Sequence, residues 1–186
     1  MQRIPFPDFK ALPEKIRRML DGTPLNVVRI GAHASPSLFE AQGMLGYAIA
    51  DPAVLDPRLR ETAILRVACL SNSEYELHHH LPLARSAGLA EQDLQCITSG
   101  EYDGLERGLA AVCRFSDEVV TGLAPSDATL EALRGIFSDR ITINLVLTIG
   151  CYMSIARLIA VTGIDLDEGA LDHLPSGLGD GAGQAG

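Results

Sequence analysis

The sequence predicts an all-α protein, and three observations carry that expectation. Apolar residues recur at three- and four-residue intervals in one segment after another. Ser, Asp, Pro and Gly fall between those segments at helix-length spacing. No stretch alternates apolar and polar residues as a half-buried strand would.

The elements follow in order. A first helix is expected from about Asp8 to Leu20, ended by "DGTP", and a link over 21–34 carries His33. "SPSLFEAQGMLGYAIA" opens with Ser35 as cap and Pro36 at the first helical position. "DPRLRETAILRVACLS" repeats the device with Asp56 and Pro57. "SNSEYELHHHLPLARSAG" stops at Gly88, a residue suited to the position just past a helix. Pro82 inside it cannot donate to the His78 carbonyl, so a kink or a freed carbonyl is expected there. A short helix, "AEQDLQCI", precedes the "TSGEYDG" turn, and "LERGLAAVCRFSDEVVTGL" is long and amphipathic. Ser126 caps "SDATLEALRGIF", and an apolar helix spans about 139–163. Residues 1–173 read as a single domain, and the Gly-rich tail 174–186 has too few apolar residues to build a core.

Composition narrows the function. The chain has 186 residues, 47% of them hydrophobic and 21% charged, as in a globular protein with a substantial core. A net charge of −9 argues against nucleic acid and against an anionic membrane surface as partners. The aromatic content, 5% with no Trp, argues against a base-stacking surface. Cys69, Cys96, Cys113 and Cys151 are widely spaced, without a C-x-x-C pair, in apolar helical contexts. They read as free core thiols in a reducing compartment, and a charged N-terminus without an apolar run points to the cytoplasm. The stretch 141–163 has nearly the length of a membrane span, but Asn144 and Arg157 interrupt it. It is expected in a core or a subunit interface, with no membrane partner.

The chemistry concentrates on two consecutive helices. On a helical wheel for 73–88, Ser73, Glu76, Leu77, His80, Ala84 and Ala87 share one face. His78 falls opposite, toward solvent, and His79 lies at the edge near Leu83. His80 stands one turn after Glu76, the spacing at which side chains meet. On the preceding helix Glu61 shares a face with Ile64, Leu65 and Ala68, whereas Arg60 and Arg66 lie off it and offer no obvious partner. An unpaired carboxylate in such a place has a raised pKa. The set Glu61, Glu76 and His80 suits proton transfer. A blander reading stands beside it: Ser73-x-x-Glu76 also fits a capping box, in which Glu76 folds back on the backbone. A third gives Glu61, Glu76 and His79 or His80 to a Zn, Fe or Ni ion, as in carboxylate-bridged sites.

At these residues the sequence resembles the carboxymuconolactone decarboxylase family, whose fold is shared with the alkylhydroperoxidase D proteins. The peroxidase branch spaces a Glu, two cysteines and a His as Glu61, Ser73, Glu76 and His80 are spaced here. "RETAILRVACLSNSEYELHHHLPLARSAGLAEQDLQCI" is similar to the family's core helical hairpin, and the likeness extends over roughly 36–167. The resemblance implies a helical bundle built on an antiparallel hairpin and assembled as a trimer or hexamer. It implies a lyase acting on a carboxylated lactone or a related compound of aromatic catabolism, with no metal or organic cofactor. Dithiol peroxidase chemistry does not carry over, because Ser73 and Glu76 cannot exchange thiols. What carries over is the pair Glu61 and His80, with Glu76 as a further acid–base group. Ser73, His79, His33 and Tyr152 are candidates to line the substrate pocket.

Overall fold

The computed structural model describes residues 2–23 and 25–167. Among these are nine helices: α1 (Glu14–Leu20), α2 (Asn26–Gly31), α3 (Pro36–Ala50), α4 (Pro57–Leu70), α5 (Glu74–Ser86), α6 (Glu91–Ser99), α7 (Arg107–Thr121), α8 (Asp127–Arg134) and α9 (Asp139–Thr162). No strand occurs among the described residues. Positions 168–173 of the expected domain and the tail 174–186 lie outside them.

Helix α4 is the axis of the bundle. Every residue from Glu61 to Ala68 is buried, so this helix has no solvent face along those two turns. On one side Leu65 packs with Ala84, Leu89, Leu94, Ile97 and Leu109 of α5, α6, α7 and the loop before α6. On the other, Ala63 and Val67 pack with Val112, Phe115, Leu133, Leu145 and Ile149 of α7, α8 and α9. Buried Arg66 ties these layers together: its Nε donates to Asp117 Oδ1 at 2.7 Å and its Nη1 to the Ile97 carbonyl at 2.6 Å.

The α4–α5 hairpin follows from local chemistry. Asp56 caps α4, accepting from the amides of Arg58 and Leu59. At the far end the Ser73 amide donates to the Ala68 carbonyl and the Asn72 amide to the Cys69 carbonyl. These are the two bonds of a Schellman motif, with Asn72 at φ 50° in the left-handed position that glycine commonly fills. Ser73 then starts α5, its hydroxyl accepting from the Glu76 amide. A turn this tight sends α5 back antiparallel along α4, setting the middle of one helix against the middle of the other.

Several expectations need correction. The first helix begins at Glu14, because Pro13 occupies its N-cap and the residues before it form turns. The link over 21–34 contains α2, a six-residue helix with no side-chain cap to announce it. Ser35 stands at the N-cap of α3 but makes no capping hydrogen bond. As the sequence places it, Pro82 lies inside α5, which runs to Ser86. Helix α9 is long and apolar enough to cross a bilayer; here its Leu145 and Ile149 face lies in the core. Its neighbours in the bundle include α2, α3, α4, α7 and α8.

Candidate active site

Glu61, His80 and Glu76 form one buried chain. His80 Nδ1 lies 2.8 Å from Glu61 Oε2. On the opposite edge of the ring, His80 Nε2 lies 3.4 Å from Glu76 Oε2. Glu61 is 1% exposed, Glu76 3% and His80 9%, so the imidazole is the least enclosed of the three. Tyr152 of α9 stands edge-on to His80, with ring centroids 5.0 Å apart.

The first carboxylate has a partner that helical projection places elsewhere. Arg60 Nε donates to Glu61 Oε1 at 2.9 Å, and Arg60 Nη1 donates to the Ala50 carbonyl at 2.8 Å. The expectation of an unpaired Glu61 is thereby corrected. A flexible arginine stem can curl back over its neighbour, which a projection of Cα directions does not capture.

This pairing separates the two acids. Burial pushes the Glu61 carboxyl up, but hydrogen bonds and charge from His80 and Arg60 outweigh it and hold the group below its ordinary value. The raised pKa expected for Glu61 is therefore overturned. Burial also pushes Glu76 up; the nearby Glu61 charge adds to this, and His80 opposes it without prevailing. The proton affinity of one group is thus lowered and that of the other raised, the environment-driven split that separates acid from base in proton-transfer sites. Burial first, then the charges of Glu61 and Glu76, keep the Tyr152 phenol protonated. Cys151 borders the same group: Gln42 Nε2 reaches its Sγ at 3.3 Å, and burial with the Glu76 charge raises its thiol.

Ser73 both caps α5 and lines a cavity of about 330 Å³ between the α4–α5 turn and the end of α9. That cavity's wall does not include Glu61, Glu76 or His80. The Glu76 side chain does not fold back as a capping box requires; it reaches His80.

His79 and His33 are placed elsewhere. His79 belongs to a second cluster, with Nε2 2.8 Å from Asp167 Oδ2. The contact is close but out of line for donation, so both ring nitrogens lack a hydrogen bond. Tyr75 donates to the same carboxylate, whose other oxygen accepts from the Asn26 amide at 2.6 Å. Burial is the main reason the His79 pKa lies low. His33 is exposed, and its Nε2 meets the Pro5 carbonyl at 2.8 Å. Neither residue touches the Glu61–His80–Glu76 chain. His78 is exposed.

The metal reading does not fit this arrangement. The two carboxylates lie off opposite edges of one ring, and among the described residues no three His, Cys, Asp or Glu side chains converge on a point that could hold an ion. The sequence reading sets Arg60 aside as a partner for Glu61 and passes over Tyr75 and Asp167. Arg60 carries a weak signal, adjacency to an inward Glu; Asp167 carries none, lying 92 positions from Tyr75.

The model of the carboxymuconolactone decarboxylase family matches residues 36–114. This segment belongs to that family. Both members of the chain's helical hairpin fall inside the matched segment, and so do Glu61, Glu76 and His80, whereas Tyr152 lies beyond it. Comparison with curated proteins gave no match.

Two solved structures share the fold. One is a protein of unknown function from Agrobacterium tumefaciens, described as a candidate AhpD antioxidant defence protein. It is 24% identical, with a TM-score of 0.66 over 77% of this chain and 97% of the other. The other is an uncharacterised peroxidase-related protein with an alkylhydroperoxidase AhpD core from Ralstonia eutropha. It is 19% identical, with a TM-score of 0.73 over 90% of this chain and 93% of that one. At these identities the likeness speaks for the AhpD-like helical fold alone.

Proposed function

We infer that the chain is a lyase of the decarboxylase branch, using acid–base chemistry on a small carboxylated lactone. The observation that carries this reading is the geometry of two buried carboxyls on opposite edges of one imidazole, Glu61 at 2.8 Å and Glu76 at 3.4 Å, their proton affinities shifted in opposite directions. In such a lactone the departing carboxylate is vinylogous to the ring carbonyl. The bond to the carboxylate carbon breaks, CO₂ leaves, and the electron pair flows to the carbonyl oxygen as a dienolate. The dienolate then collapses onto carbon, taking the Glu76 proton, and water restores it. The balance is one proton consumed for each CO₂ released. The Tyr152 hydroxyl supplies a polar hydrogen near the developing oxyanion.

Thiol peroxidase chemistry, suggested by the names of the structural relatives, finds less support in this chain. A thiolate is the required nucleophile. Burial pushes the Cys69 and Cys151 thiols up and takes Cys113 to about 12.

The test is CO₂ release from a panel of unsaturated carboxylated lactones. Glu76→Gln and His80→Ala should each lower kcat by about 10²- to 10⁴-fold, the ordinary worth of a general acid. Full turnover by a folded Glu76→Gln protein would remove the proposed acid. Peroxide consumption by the wild type, undiminished in these variants, would favour the peroxidase-related reading.

A further inference from the structure

Arg60 sits where it has no obvious reason to be. Adjacent residues on a helix point about 100° apart and do not face each other. Yet its guanidinium turns back onto Glu61 at 2.9 Å and is pinned from the other side by the Ala50 carbonyl at 2.8 Å. Ala50 is the last residue of α3, so its carbonyl is among those that a helix end leaves without an intrahelical partner. One arginine therefore joins the end of α3 to the buried carboxylate of α4, with only 16% of its side chain exposed.

We propose that Arg60 is a positioning residue that sets the tautomer of His80 through Glu61, leaving the mobile proton on Glu76. That tautomer follows from counting donors and acceptors, and it rests on the acid–base reading of the same three residues. A carboxylate that accepts from Arg60 on one oxygen is held as an anion, so the His80 nitrogen facing its other oxygen must donate. That nitrogen is Nδ1, 2.8 Å away. A ring with its single proton on Nδ1 presents a bare Nε2 to Glu76. Glu76 Oε2 faces that bare nitrogen at 3.4 Å, a contact too loose to count as a formed hydrogen bond, and two unprotonated acceptors would repel there, so the proton of this pair stays on Glu76. Without the guanidinium, Glu61 loses its fixed positive neighbour in a nearly dry site and retains a proton of its own. The ring proton then moves: Glu61 donates to Nδ1, Nε2 carries the proton that faces Glu76, and the acid is spent. Arg60 touches no substrate in this scheme; it acts through Glu61 and His80.

The tautomer can be read without any substrate. Long-range ¹H–¹⁵N correlation spectra of ¹⁵N-histidine-labelled protein, with His80 assigned by loss of its signals in His80→Gln, should show a protonated Nδ1 and a bare Nε2 in the wild type. Arg60→Met should move the proton to Nε2. Arg60→Lys keeps the charge but loses the fork, so it should keep the wild-type tautomer while the Glu61 carboxyl ¹³C signal titrates at higher pH. A wild-type ring bearing its proton on Nε2, or on both nitrogens, would overturn the proposal with no variant needed. So would a folded Arg60→Met protein with the wild-type tautomer. If the Met variant does not fold, an unmoved Glu61 titration in Arg60→Lys overturns it. Failure of every lactone to release CO₂ would count against the lyase reading and leave these spectra as they are.

Discussion

The two glutamates on His80 should leave opposite marks on stability. Glu76 has its folded-state pKa raised, so its contribution is fully present below the unfolded value and is lost as pH climbs through the folded one. Glu61 has its folded-state pKa lowered, so its contribution is present above the unfolded value and is lost as pH falls through the folded one. A tenfold difference in proton affinity between the folded and unfolded chain corresponds to about 1.4 kcal/mol. Melting temperature recorded from acid to mildly alkaline pH should therefore respond differently to two isosteric changes. Glu76→Gln should flatten the decline on the alkaline side of the ordinary carboxylate range, and Glu61→Gln should flatten the acid side. Parallel curves for wild type and both variants would contradict the split. Activity should follow the same limits, falling at low pH as Glu61 takes a proton and at high pH as Glu76 gives one up.

At the scale of elements, the α4–α5 turn decides whether those groups meet at all. Asn72 holds a left-handed conformation, which costs roughly 1–2 kcal/mol for an ordinary residue and least for Gly or Asn. Asn72→Gly should be neutral or slightly stabilising, and Asn72→Val should lose about 1–2 kcal/mol in urea denaturation. Removing the cap with Ser73→Ala should cost about 1 kcal/mol. Much of this hairpin is legible in the residues. Asp56-Pro57 and Ser73 announce the two starts, Gly88 announces the end, and the wheels put Glu61, Glu76 and His80 inward. What stays hidden has physical causes. Helix α2 is short and owes its place to neighbours: the Asn26 amide is held by Asp167, and Val27 and Ile30 sit in a cluster with Ile159 and Ile164. His79 pairs with a carboxylate from beyond α9, and Arg60 reaches its partner by side-chain flexibility. Periodicity records where Cβ points; it is silent on where a long polar side chain ends and on pairs distant in sequence.

Among the described residues, large apolar side chains lie exposed on two neighbouring helices. Along α9 the side chains of Ile143, Val146 and Leu147 are exposed, and on the neighbouring helix α3 so are Leu38, Met44 and Tyr47. Helices α3 and α9 pack on each other, Gln42 of α3 meeting Cys151 of α9, and α9 also flanks the candidate site through Tyr152 beside His80. Scattered apolar side chains on a surface need no explanation, whereas two packed helices that both present several large ones do. We propose that further copies of this chain cover these helices, giving the trimer or hexamer that the family resemblance implies. Light scattering coupled to size exclusion should then report at least three chains per particle. The double change Met44→Glu and Leu147→Glu should dissociate the particle, because each buried charge would enter the contact without a partner. Both positions are exposed in the single chain, at 73% and 53%, so the dissociated variant should retain its helical content. A wild-type protein that stays monomeric at high concentration would refute this assembly and leave the apolar faces of α3 and α9 to some other partner.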